Sequence, residues 1–165
     1  MKKQLVILTC SILLISFTWT YGQSKIELSG GIGFLDFANV GIKYSINKNI
    51  NIGVNVGFFD PIEGPTFKLL SMELCVYSHF GEKYSNSGQK LWYAKNGLTW
   101  FQPYPNEKYL YYSPRVGRKF YLTENFGINI DAGIYFKLWT SLNEGMLSID
   151  PPILPGLGVS FFVKL

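Results

Sequence analysis

Histidine is almost missing from this sequence: one residue, His79, in 165. Histidine-based acid–base or nucleophilic catalysis would have to run through it. Cysteine is nearly as scarce, with Cys10 and Cys75 alone. Cys10 falls in an N-terminal segment that reads as an export signal, so Cys75 has no partner for an internal disulfide despite an oxidising export route. One histidine, one cysteine and dispersed carboxylates lack the ligand spacing of a metal site. No cofactor is implied either. The run Gly30-Gly31-Ile32-Gly33 is followed by neither Lys-Ser/Thr nor a helical pattern, as a phosphate-binding loop requires. Beyond the N-terminal segment no stretch approaches the ~18 consecutive apolar residues of a spanning helix. Charged residues are only 16% of the chain, and the formal charge of +4 drops by two without Lys2 and Lys3. That small excess does not argue for a nucleic-acid partner.

What is present starts with that N-terminus. Lys2 and Lys3 precede an almost unbroken apolar stretch from Leu5 to Phe17, and Thr20-Tyr21-Gly22 offers a small-residue cleavage site. The pattern predicts a secretory signal peptide over 1–22 and one domain over 23–165.

The rest of the chain alternates. Ile50, Ile52, Val54, Val56 and Phe58 interleave with Asn51, Gly53, Asn55 and Gly57. Successive strand side chains point to opposite faces, so this stretch has one apolar face and one small or polar face. The rhythm returns at Val40-Ile42-Tyr44-Ile46, from Phe126 to Phe136, and at Leu157-Val159-Phe161-Val163-Leu165. Turn signals divide the sequence into eight strands near 25–34, 38–46, 50–59, 67–81, 91–102, 108–122, 126–138 and 153–165. Most are of the ~9–12 residues that a tilted strand needs to cross a hydrocarbon layer. Asn47-Lys48-Asn49 and Thr123-Glu124-Asn125 read as tight turns, whereas 60–66, 103–107 and 139–152 are longer connections. The short 35–37 connection and the long 82–90 turn fit that alternation less well.

These features predict an all-β fold, an eight-stranded antiparallel up-and-down transmembrane β-barrel with its apolar face outward. An eight-stranded bore barely accommodates its own side chains, which suits the glycines and polar groups of the second face and not the many branched and aromatic groups of the apolar face. Glu27, Lys43, Glu73, Lys95, Arg115, Lys119, Asp131 and Lys137 lie on that polar face. Both signs are present, so a lumen charge network is expected that leaves no open channel. Strict alternation aims Arg118 at lipid, which a bulge or a place near the headgroups would relieve. Aromatics gather near strand ends in the two belts that a bilayer interface favours.

From Pro114-Arg115-Val116-Gly117 through Asn129-Ile130-Asp131-Ala132-Gly133, and in the terminal strand Val159-Phe161-Val163-Leu165, the sequence resembles the small outer-membrane β-barrel family of Gram-negative bacteria, the OmpA-type barrel domain. Members usually close with an aromatic residue, where this sequence has Leu165. The resemblance covers 25–165 and implies a multi-pass outer-membrane protein in contact with outer-membrane lipid and delivered by the outer-membrane assembly machinery.

The chemistry to weigh is sparse. Cys75 and His79 share a strand face but lie roughly 13 Å apart along it, too far for direct activation. Ser78 adjoins His79 on the opposite face. Trp100, Tyr104, Tyr109, Tyr111 and Trp139 make a candidate surface-binding edge for a protein or a glycan. The reading is therefore a non-enzymatic barrel with a structural or surface-interaction role. Its rivals are a periplasmic lipocalin-like barrel for a small apolar ligand and a lipid-modifying barrel enzyme.

Overall fold

The computed structural model describes residues 25–35, 37–59, 68–84, 88, 90–104, 107–141 and 152–165. The expected export segment over 1–22, residues 23 and 24, and the connections over 60–67 and 142–151 lie outside the described residues. Eight strands follow in chain order: β1 (Ile26–Gly33), β2 (Phe37–Ser45), β3 (Ile50–Phe59), β4 (Lys68–Lys83), β5 (Lys90–Tyr104), β6 (Glu107–Tyr121), β7 (Phe126–Ser141) and β8 (Ile153–Lys164). Each pairs antiparallel with its sequence neighbour, and β1 pairs with β8, which closes the sheet into a barrel. The fold is all-β, as the alternation predicts. β7 runs past the expected end at 138, because a bulge at Leu138 lets Trp139 and Thr140 go on pairing with Leu110 and Tyr109.

Local chemistry sets the tight turns. The Asn47 side-chain oxygen accepts the backbone N–H groups of Asn49 (2.8 Å) and Ile50 (2.9 Å), and Thr123 Oγ1 accepts that of Phe126 (3.1 Å). Such short side chains hold the chain in a turn without help from the barrel. These turns share one end of the barrel with the β4–β5 connection. The opposite end carries the β3–β4 and β7–β8 connections and two short ones. Only residues 105–106 separate β5 from β6, in place of the longer 103–107 connection expected, because both strands go on pairing as far as Tyr104 and Glu107. In the β1–β2 hairpin Phe37 has φ of 41° and Leu35 folds inward to 6% exposure.

The two faces separate cleanly. Ile32, Val40, Ile42, Leu74, Val116, Leu157 and Phe161 all point out of the barrel and are exposed, whereas Glu27, Lys43, Glu73, Lys95, Arg115 and Lys119 are buried inside. Arg118 does face outward. Its pairing is regular there, so no bulge turns it aside. Its guanidinium instead lies 5.3 Å from the ring centres of both Trp92 and Phe120, near the tight-turn end.

The lumen also differs from expectation, for it takes in aromatic rings as well as glycines and charges. Tyr77, Tyr93, Tyr111, Tyr135 and Phe162 are buried within it. Room comes from glycines on neighbouring strands. A β-carbon on Gly53 would meet the Tyr77 ring at 3.3 Å, one on Gly156 the Tyr135 ring at 3.2 Å, and one on Gly127 the Phe162 ring at 2.7 Å. Ring and glycine share a space that two side chains would overfill. Gly117→Val, which drives a branched side chain into Tyr93 and to within 2.8 Å of Asp131 Cβ, is expected to lower stability by about 1–3 kcal/mol. Gly30→Val, on the outer face with nothing nearer than 3.7 Å, is expected to be near neutral. Urea-unfolding midpoints of the two refolded variants check the contrast.

Candidate functional site

The interior is organised around two carboxylates. Glu27 on β1 accepts Lys43 Nζ at 2.8 Å from adjacent β2 and Lys119 Nζ at 2.5 Å from β6, across the bore. Glu73 on β4 accepts Lys95 Nζ at 2.5 Å and Arg115 Nη2 at 2.6 Å. Ser113 Oγ donates to the same carboxylate at 2.7 Å, and Asn55 Nδ2 donates to it at 3.0 Å. Arg115 turns its other amino group, Nη1, to Asp131 (3.1 Å), which also accepts the Tyr93 hydroxyl at 3.1 Å. Lys137 lies nearer the loop-rich end on the lumen side, paired in register with Tyr111.

The paired side chains are 1–5% exposed except for Asp131, at 12%. Charges so far from water are strongly destabilising unless matched. Here every carboxylate oxygen of Glu27 and Glu73 is matched. Rings complete the shielding: Lys43 Nζ sits 4.7 Å from the centre of the Tyr77 ring and Lys119 Nζ 4.8 Å from that of Phe162.

The loop-rich end is closed by an apolar cluster of Leu35, Tyr109, Tyr111 and Tyr135, with Phe101 and Leu154 against it. This corrects the sequence-based surface edge. Tyr109 and Tyr111 point inward, 6% and 3% exposed, because they share the strand face of Ser113 and Arg115. Tyr109 donates its hydroxyl to Glu107 at 3.1 Å, and the Tyr111 ring meets that of Tyr135 edge-on, 6.1 Å between centres. Trp100 and Trp139 lie on the outer face, with Trp139 more exposed. Tyr104 pairs with Glu107 at the end of β5, and its side chain lies outside the described residues.

His79 is buried at the tight-turn end, its ring 5.8 Å from that of Tyr93. Ser78 faces the other way. Cys75 Sγ donates to the Gly53 carbonyl and lies 3.3 Å from the Tyr77 hydroxyl. Among the described residues no three His, Cys, Asp or Glu side chains gather as metal ligands would. Sequence reasoning missed Asn55 and Ser113 as partners of Glu73. Their parity was a usable signal, since Ser113 shares a strand face with Arg115, two residues on.

Glu73→Ala strands Lys95 and deprives Arg115 of its stronger partner. It is expected to destabilise the barrel by about 3–5 kcal/mol. Adding Lys95→Met should recover part of that loss. Chemical-denaturation midpoints of wild type, single and double variants check this, and strict additivity would contradict it.

No protein-family model matches the chain, and no curated protein sequence matches it. Among solved structures, the chain is similar to the crystal structure of the N-terminal β-barrel domain of Pseudomonas aeruginosa OprF, at 19% identity over 83% of this chain and 94% of that one, with a TM-score of 0.45.

Proposed function

We propose that the chain is an integral outer-membrane β-barrel protein with a side-chain-filled lumen. Its role in this reading is structural or surface-interactive, exerted through the connections at the loop-rich end. The observation that carries the proposal is the sidedness of the wall: an apolar exterior, at a third to two-thirds exposure residue after residue, around a charged interior. A protein in water that turned its isoleucines and valines outward and its lysines inward would lose stability on both counts. In lipid the same arrangement is favourable, and a closed barrel leaves no strand edge unpaired.

Details of the wall support it. Tyr112 and Asn96, both outward, satisfy each other through a 2.6 Å hydrogen bond from the tyrosine hydroxyl to the amide oxygen. Tyr44, Phe80, Trp92 and Phe120 ring the tight-turn end; Phe34, Phe37 and Trp139 lie at the other. Belts of this kind suit the two interfaces of a bilayer. Arg118, between two rings at the level of the first belt, keeps its charge close to the headgroups. Export through 1–22, delivery by the assembly machinery and recognition of a surface protein or glycan belong to the same proposal, and they rest on the sequence alone.

A lipocalin-like barrel needs an apolar bore, and this one is lined by ion pairs. A lipid-modifying enzyme built on His79 would need an acid or nucleophile in contact with it, whereas its ring packs against that of Tyr93, whose hydroxyl is given to Asp131.

Cell fractionation tests the proposal directly. The chain should sediment with the outer membrane and resist alkaline extraction; recovery in the osmotic-shock supernatant would overturn it. In vesicles, Val116→Arg at mid-wall is expected to cost about 2–4 kcal/mol of folding stability, and Leu122→Arg at the rim about 0–1 kcal/mol. Equal costs in urea titrations would argue against a surrounding bilayer.

A further inference from the structure

Between the two carboxylate centres the lumen keeps a small cavity of about 30 Å³, whose lining includes Lys43, Lys95, Tyr77, Tyr93, Arg115 and Asp131. That is room for one particle the size of a water molecule. We infer that this cavity binds a single small anion, of the size and charge of chloride, held between the ammonium groups of Lys43 and Lys95.

Two independent features carry the assignment. The first is donor supply. Each ammonium has three N–H bonds. Lys43 spends one on Glu27 and turns toward the Tyr77 ring; Lys95 spends one on Glu73 and stands 5.8 Å from the centre of the same ring. Each therefore retains an N–H, and both side chains border the cavity. The second is charge. Among the described residues, five interior ion pairs join four cations (Lys43, Lys95, Arg115 and Lys119) to three carboxylates, Glu27, Glu73 and Asp131. A water molecule would fill the space yet leave that surplus positive charge uncompensated, whereas an anion does both. Asp131, the one carboxylate on the cavity wall, has its oxygens occupied by Arg115 Nη1 and the Tyr93 hydroxyl.

The inference concerns the bore and stands apart from what surrounds the barrel. Its test is unfolding of the refolded full-length chain at fixed ionic strength, with sodium chloride or bromide replaced stepwise by sodium gluconate. The expected result is a midpoint that rises with halide and saturates. Lys43→Met should abolish the dependence. Asp131→Asn, which removes the nearby negative charge, should lower the half-saturating halide concentration by at least about tenfold. A bromide-soaked crystal should show anomalous scattering in the cavity. Equal midpoints in halide and gluconate, the same dependence in Lys43→Met, or a water molecule alone in the cavity would overturn the inference. Should both variants fail to fold, the wild-type titration and the bromide density decide it.

Discussion

The bore of a closed eight-stranded sheet has a fixed and narrow width, and the rest of the structure follows from what has to fit in it. Two carboxylates organise that space. Glu27 and Glu73 each draw two cations from other strands, and the aliphatic stems and rings of those partners take up the remaining volume. Tyr77, Tyr93, Tyr135 and Phe162 fit because Gly53, Gly117, Gly156 and Gly127 stand opposite them. Charge, ring and glycine are thus one packing solution. Glu73 cannot keep Arg115 without Gly133 beneath the arginine stem, where a β-carbon would crowd Arg115 Cγ at 2.7 Å.

The ion pairs matter more for what they forbid than for what they add. Buried pairs roughly offset their own desolvation, so they are weak evidence of net stability. Their effect on register is stronger. A slip of one residue along any strand exchanges its two faces. In β6 that slip would send Arg115 and Lys119 outward and draw Tyr112 and Val116 into a bore with no space for them. In the membrane setting proposed above, an apolar interior would oppose such a slip far less, because lipid and core would then be equally apolar. The charged lumen gives the sheet one inside.

Strand identity and sidedness were legible in the sequence, because both depend on a period of two and on turn residues such as Asn47 and Thr123. Which charges meet was not. Glu27 and Lys119 are 92 residues apart and Glu73 and Arg115 are 42 apart. Contacts across the bore depend on strand tilt and stagger, which alternation leaves open. The misplacement of Tyr109 and Tyr111 is different in kind. Their grouping with Trp100 and Tyr104 suggested a surface edge, but their parity with Ser113 and Arg115 was already in the sequence, and parity decides the face. The lumen rings escaped notice because alternation scores a tyrosine as apolar, although its hydroxyl and its π-face suit a cation-rich interior.

One short connection and the ring cluster beside it depend on each other. Leu35 reaches the mouth of the bore because the β1–β2 connection is short, and that shortness also holds Phe37 at a φ of 41°, a conformation that L-residues adopt at a cost. The packing of Leu35 against Tyr109, Tyr111 and Tyr135 offsets that cost, so the hairpin and the lid form one unit. Because the short connection sets where Leu35 lands, lengthening it would free Phe37 from its strained backbone and at the same time withdraw Leu35 from the ring cluster.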